Sequence, residues 1–412
     1  RRMEPSVNPS LIGAVKVPDG SVDPFRLCAS NVFDAKIHGA KVLVYSEVIE
    51  FIKEQDTIKG VKVLDHHTGI VTDYYAPVTV NAGGIWGHHI AQMAGANISM
   101  FPAKGALLIF AHRVNSVVIN RCRKPANADI LVPGDTVCVI GTTSTRVPYE
   151  ECDHLKVTPD EVDLLLTEGA KLAPCLAETR VLRAYAGVRP LVSADNDPSG
   201  RNISRGIVCL DHETRDGIKG FISITGGKLM TYRLMGEMAA DAVCKKLGRD
   251  AKCVTADTPL PGSEPGGIEE ISKKIWEVPT MVQKASVGRF GTQAANLDFD
   301  GDVKGSLVCE CEEVSVSEVD SAIENLEVNN LVDLRRRTRF GMGTCQGELC
   351  ACRAAGRLAK ARKCTAKARA DLKDFMDERW KGMYPVAWGE TLRESAYTQW
   401  VYSEVMGLGE EI

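Results

Sequence analysis

Gly220-Phe221-Ile222-Ser223-Ile224-Thr225-Gly226-Gly227-Lys228 decides the fold of the larger part of this chain. An aromatic and β-branched run predicts a strand, and two glycines then break it. From Leu229 to Leu247 the apolar positions recur at helical spacing. Strand, small residues and helix N-terminus in that order let backbone approach a cofactor and offer the helix dipole to phosphate. The same grammar occurs upstream in Pro77-Val78-Thr79-Val80-Asn81-Ala82-Gly83-Gly84-Ile85-Trp86. On the residues alone each segment is also a generic strand–turn–helix, so a cofactor role and a merely structural one both stand.

Working outward, Val42–Tyr45, Val61–Leu64 and Val137–Ile140 read as further strands, and Val162–Leu172 as a helix. Residues 1–255 therefore form an α/β (α+β) domain. Residues 256–305 begin as a linker, with Pro259, Pro261, Gly262, Pro265, Gly266 and Gly267. Residues 306–362 hold a cysteine cluster, and residues 363–412 read as a mostly helical tail with Trp380, Trp388 and Trp400. There is no internal repeat or low-complexity tract.

The chain has 412 residues, 44% hydrophobic and 25% charged, with a formal charge of -4. This is the composition of a globular protein, with no basic excess for nucleic acid and no acidic tract for disorder. No apolar run approaches the roughly 20 residues of a membrane-spanning helix. Arg1-Arg2-Met3-Glu4-Pro5 lacks the apolar core of a signal peptide. Fourteen cysteines are present. Without a secretory signal they read as reduced thiols, some of them metal ligands. Cys28, Cys138, Cys209 and Cys244 sit among apolar residues and are expected to be small buried hydrophobes.

Cys309-x-Cys311 is followed by Cys345 and, after four intervening residues, Cys350. An iron–sulfur cluster needs four thiolates converging on a small volume. Cys345 lies in Gly341-Met342-Gly343-Thr344-Cys345-Gln346-Gly347, where glycines allow close backbone approach. Cys350 is expected in the first turn of the next helix, whose positive end favours a thiolate. Structural zinc competes, but it prefers knuckles of C-x(2–4)-C, and this spacing fits them poorly. Cys352 points away by helical spacing and is left out of the ligand set. The glycines of this loop have the wrong spacing for a dinucleotide fingerprint. Ser315-x-x-Glu318 predicts a capping box opening a helix through about Asn325. Arg335, Arg336, Arg337 and Arg339 read as a solvated helix face, or else as compensation of an anionic cluster or a docking patch. His112, Arg113, Arg121, Arg123 and Lys124 read mainly as surface.

Val308-Cys309-Glu310-Cys311-Glu312 with Gly341 through Cys350 resembles the small 2Fe–2S module of bacterioferritin-associated ferredoxin. In such modules these four cysteines are the ligands. Thr225-Gly226-Gly227-Lys228-x-Met230-Thr231-Tyr232-Arg233, Tyr185-x-Gly187-Val188-Arg189-Pro190-Leu191 and Gly13 through Pro24 resemble FAD-dependent glycerol-3-phosphate dehydrogenases. The two parts together, over nearly the whole chain, resemble the large (A) subunit family of the anaerobic type. The resemblance implies an FAD-dependent oxidoreductase fold of the glutathione-reductase-like and D-amino-acid-oxidase-like kind, a small mainly helical 2Fe–2S domain and a helical tail. It implies FAD contacts at Asn81, Ala82, Gly83, Gly84, Thr225, Gly226, Gly227 and Lys228. It also implies a phosphate monoester held by Arg189, Arg205 and Lys228, for which arginine's fork is suited. The implied reaction is oxidation of sn-glycerol 3-phosphate to dihydroxyacetone phosphate, with electrons leaving through the cluster to B and C partner subunits and finally quinone. The implied location is peripheral, on the cytoplasmic side of a bacterial inner membrane. The base that takes the hydroxyl proton is unassigned; His88, His89 and Arg189 are unranked candidates.

That family opens with a strand and G-x-G-x-x-G, whereas this chain opens Arg1-Arg2-Met3-Glu4-Pro5-Ser6-Val7-Asn8-Pro9, similar to the family's interior. The expectation is a chain without the first βαβ unit, in which the cluster module is complete and the flavin site is not. Two alternatives remain open at this point. One is an amino-acid or opine dehydrogenase with the same cluster module, although a substrate lacking phosphate would not need Arg189, Arg205 and Lys228 together. The other is a non-catalytic electron-transfer scaffold.

Overall fold

The computed structural model describes residues 2–192, 206–273, 280–299 and 303–409. Arg205 lies outside the described residues. Three sheets build the first part of the chain. Ser46–Glu54, Thr57–Asp65 and Val71–Tyr75 form an antiparallel meander. The second sheet is built on Met100–Phe110, a strand buried along nearly its whole length, as its apolar sequence requires. It pairs antiparallel with Val181–Val192 on one side and with Cys138–Gly141 on the other. Phe110, Leu108, Ile140 and Leu165 fill the core between this sheet and the Pro159–Leu172 helix.

The third sheet places the two glycine turns singled out in the sequence. Phe221–Gly226 is its centre, with Ile207–Asp211 antiparallel on one side and Thr79–Asn81 parallel on the other. The parallel register sets Ser223 opposite Asn81. Both strand–turn–helix segments therefore end on the same edge of one sheet, with their helices, Gly87–Ala94 and Tyr232–Lys246, following.

Cys309 and Cys350 belong to a separate apolar core with Val319, Leu331, Leu334 and Phe340. The Ser315 capping box forms as its spacing predicts, and the helix runs Val316–Asn325. The tail is helical but does not stand apart. Leu372, Phe375, Met376 and Tyr402 fill the cluster-module core, while Val386 fills the core of the large sheet.

Three sequence expectations need correction. Val42–Tyr45 is not a strand, which begins only at Ser46. Tyr45 adopts φ +53°, and its hydroxyl reaches across to Asp333 at 2.8 Å. The 256–305 stretch is not only linker: Gly267–Ile271 and Thr280–Phe290 are helices with a small core of Ile271, Val287 and Phe290. Arg289 ties this stretch to the cluster module, contacting the fully buried Glu318 at 2.7 and 2.9 Å. Cys28 is exposed because the Pro24–Ile37 helix buries none of its residues.

Candidate active site and cluster centre

Four thiols meet in the cluster module. Cys311 contacts Cys345, Cys345 contacts Cys350, and Cys350 contacts Cys309 through side-chain hydrogen bonds. Backbone amides aim at the same sulfurs: Gly341 and Glu312 at Cys309, Leu349 and Gly347 at Cys345. The glycines are sterically required. A Cβ at Gly343 would lie 2.4 Å from Cβ of Cys311, and one at Gly347 would lie 2.6 Å from the Phe375 ring. Cys350 caps the helix Ala351–Arg362, one position earlier than its expected place in the first turn.

Hydrogen bonds from Cys311 and Cys350 hold the Cys345 thiol down to about 2, and the bond from Cys350 lowers Cys309. The same contacts push Cys311 and Cys350 upward. Four thiolates this close coexist only around a polycation, so the donor set fits an iron–sulfur cluster. Among the described residues no group of three or more His, Cys, Asp or Glu is shaped to hold a single ion. A 2Fe–2S cluster does not require one, since four cysteines serve two irons and each iron takes two. Cys352 faces elsewhere, with its thiol 3.2 Å from Met406 Sδ.

The arginine run is not a solvated face. Of its four members only Arg336 is exposed. Arg335 donates to Gln346 of the cluster loop at 3.2 Å, and Arg337 donates to Leu326 O. Arg339 bridges Glu312 at 2.8 Å and Asp23 at 2.9 Å. Burial pushes the Arg335 guanidinium down to about 9 and raises the Glu312 carboxyl. Two further buried arginines, Arg183 and Arg379, carry no sequence signal. Arg379 approaches Glu348 at 3.9 Å, and Arg183 donates to Glu378 O at 3.1 Å.

In the third sheet, Gly226 and Gly227 adopt φ +74° and +69°. A Cβ at Gly226 would strike Gly206 O at 2.3 Å, so only glycine makes this turn. Thr225 is buried, and its hydroxyl has no hydrogen-bond partner among the described residues. Lys228 is exposed, with its backbone N–H donating to Thr231 Oγ1. Asn81 is buried; its amide donates to Gly87 O at 2.8 Å and accepts from Gly83 N–H at 3.1 Å, so it shapes the Ala82-Gly83-Gly84 turn. An orphaned buried hydroxyl and two tight glycine turns at the carboxyl ends of parallel strands fit a flavin contact.

Sequence reading missed the group beneath these turns. His212 is fully buried, 2.5 Å from Asp216 Oδ2 and 2.8 Å from Ser223 Oγ. Ser223 accepts from Asn81 at 3.2 Å, and the imidazole stacks on Phe221. The spacing His212-x-x-x-Asp216 was visible as one helical turn, but nothing in the sequence joins it to Ser223.

Arg189 lies on Val181–Val192, opposite Ala103. Its guanidinium is held by Thr142 Oγ1, Ser144 Oγ and Thr143 O. A Cβ at Gly105 would lie 2.6 Å from Arg189 Nη2, so Gly105 clears its path. The strand packs against both the Gly84–Trp86 turn and Phe221–Gly226. His88 Nδ1 donates to Ile98 O at 2.7 Å, and its ring stacks on Tyr149; His89 is exposed and meets the same ring edge-on. Arg121 and Arg123 are engaged with Glu168 at 2.9 and 3.2 Å.

This geometry defines a flavin-dependent oxidoreductase carrying its own iron–sulfur module. Residues 1–233 match the FAD dependent oxidoreductase family, and residues 307–358 match the BFD-like [2Fe-2S] binding domain. The chain belongs to the family of the large (A) subunits of anaerobic glycerol-3-phosphate dehydrogenase. It is 59% identical to the Escherichia coli K12 member over 412 residues, 100% of this chain and 76% of the relative. It is 58% identical to the Haemophilus influenzae member over 409 residues, 99% of this chain and 72% of the relative. The glycerol-3-phosphate dehydrogenase of Bacillus halodurans, solved with FAD, shares the fold at a TM-score of 0.68 and 22% identity. That likeness covers 89% of this chain and 74% of that one.

Proposed function

We propose that this chain is the catalytic subunit of a quinone-linked dehydrogenase that oxidises sn-glycerol 3-phosphate to dihydroxyacetone phosphate. The observation that carries this reading is identity of 59% running unbroken through both the flavin domain and the cluster module. Bound flavin supplies the hydride acceptor, and the cluster supplies the one-electron carrier that leads to partner subunits. The chain's own residues do the rest. Arg189, pinned by Thr142 and Ser144, is a pre-oriented fork for a phosphate, and the exposed Lys228 adds a mobile cation beside the glycine turn. Arg205 completes this cationic set in our reading. Asn81, Ala82, Gly83, Gly84, Thr225, Gly226 and Gly227 face the flavin through backbone and the Thr225 hydroxyl. Cys309, Cys311, Cys345 and Cys350 hold the cluster.

We read residues 1–255 as the flavin and substrate domain and 306–362 as the cluster domain. No helix among the described residues is long and apolar enough to cross a membrane, which is consistent with peripheral attachment on the cytoplasmic face of a bacterial inner membrane, with B and C subunits leading to quinone. The test is dye-linked turnover of the full-length enzyme on glycerol 3-phosphate against amino acids. Turnover on amino acids alone sinks the assignment.

A further inference from the structure

The helix Gly389–Trp400 is built inside out. Its buried face is Thr391, Ser395 and Thr398. Its outward face is Leu392, Tyr397 and Trp400, with Trp388 at the N-cap; these are 47, 59, 55 and 47% exposed. Leu392, Ala396 and Trp400 recur every four residues and form one row, which Tyr397 flanks three residues before Trp400 and Trp388 extends at the N-cap. A surface helix of a protein that works alone turns such a stripe inward. Thr391 ties the buried face to the large sheet, and the other two hydroxyls are satisfied within the helix. Thr391 Oγ1 donates to Val181 O at 2.5 Å, Ser395 Oγ to Thr391 O at 2.7 Å, and Thr398 Oγ1 to Glu394 O at 2.8 Å.

This helix covers the cluster loop. Thr391 and Glu394 line a cavity together with Cys345, Glu348 and Arg379. Just beyond it, the Tyr402 hydroxyl donates to Glu348 O, two residues before Cys350. The stripe thus lies on the outer side of an element whose inner side meets the cluster. The distance across is about one helix diameter, roughly 10–12 Å.

The charges select among occupants. Arg393 pairs with Glu390, and Glu394 reaches Arg180 at 3.9 Å. Glu404 is exposed at the far end, and the helix carries no lysine. A helix lying in a lipid surface needs a cationic polar face in water, whereas the exposed charges here, Glu390, Arg393 and Glu394, sum to a net negative charge. Exposed Trp and Tyr with a slightly acidic rim instead match the anchor residues of a protein interface. We propose that the stripe Trp388, Leu392, Tyr397 and Trp400 docks a partner subunit that presents an apolar surface with a cationic rim, seating it over the cluster. This rests on the reading above that the chain works within a multi-subunit dehydrogenase.

The test uses the full-length chain co-produced with its partner subunits, comparing wild type with the double variant L392E/W400E. The expected result is cluster resonance and dye-linked turnover within about twofold of wild type, with partner co-purification and quinone-linked turnover reduced about tenfold or more. If the double variant loses the resonance, Tyr397→Ser serves instead, with the same direction and a smaller loss. Undiminished partner retention overturns the proposal. It is equally overturned if the variant only loses binding to phosphatidylglycerol vesicles, or only falls from a homodimer to a monomer, while keeping its partners. Absence of dye-linked turnover in the wild type would count against the assigned reaction, and co-purification would still judge the docking surface.

Discussion

His212 Nε2 lies 2.8 Å from Ser223 Oγ, joining the helical turn His212–Asp216 to the centre strand of the third sheet. The chain of contacts continues through Asn81 to the Gly83 turn. His212→Ala empties a buried site and removes the closer of Asp216's two partners, so stability should fall by about 3 kcal/mol. Ser223→Ala should cost about 1 kcal/mol and loosen Asn81. Thermal unfolding measures the first effect and bound FAD per chain the second. Full flavin retention in both variants would show that the turns do not depend on this relay.

Arg189→Met removes the proposed phosphate fork and leaves the fold in place. A charge-assisted pair of about 3 kcal/mol corresponds to roughly a hundredfold loss in kcat/KM on glycerol 3-phosphate. Arg189→Lys should recover only part of it, because an ammonium cannot reproduce the fork. An unchanged kcat/KM in Arg189→Met would remove Arg189 from the substrate site.

Serine at Cys309, Cys311, Cys345 or Cys350 should abolish or strongly alter the cluster's visible and electron paramagnetic resonance signals. Cys352→Ser should leave them as in wild type, since that thiol contacts Met406. A colourless, silent wild-type protein would instead indicate zinc.

Arg289 holds the fully buried Glu318 with two bonds, and Glu318 also closes the Ser315 capping box at 2.8 Å. Arg289→Ala leaves that carboxylate without its cation, a loss of about 3–5 kcal/mol. Pairing it with Glu318→Gln should restore much of this. A double-mutant cycle by denaturant unfolding gives the coupling.

Glu168 receives Lys171, Arg121 and Arg123, whose hydrogen bonds depress its carboxyl to about 2. Its unfolded value is about 4.3. A depressed carboxylate contributes stability that is complete above the unfolded value and lost as pH falls toward the folded one. The stability gap between wild type and Glu168→Gln should therefore be flat from pH 7 to about 5 and shrink below about 4. Denaturation midpoints across that range test it; a gap that widened on acidification would contradict the sign.

Much of this was legible in the sequence because it is local. Strand–glycine–helix spacing located the two glycine turns that we propose as flavin contacts, and the Ser315–Glu318 box and the cysteine spacing located the cluster module. What was not legible is long-range. Nothing in the order of residues says that Thr79–Asn81 and Phe221–Gly226 are parallel neighbours, or that His212 reaches Ser223. The arginine run misled because charge suggests solvent, yet Arg339 finds Glu312 and Asp23 from distant segments. The tail's helices were foreseeable from their apolar spacing. That Phe375 and Val386 complete two different cores was not, because helical periodicity names a face but not its partner.

The shared core also sets an order of events during synthesis. Leu372, Phe375, Met376 and Tyr402 close over Cys309 and Cys350, yet each leaves the ribosome after all four thiols. The residues that hold the cluster therefore leave the ribosome before the residues that cover them. Once Tyr402 is in place Cys309 and Cys350 are buried while Cys311 and Cys345 stay partly exposed, so the late-made helices cover only half of the ligand set.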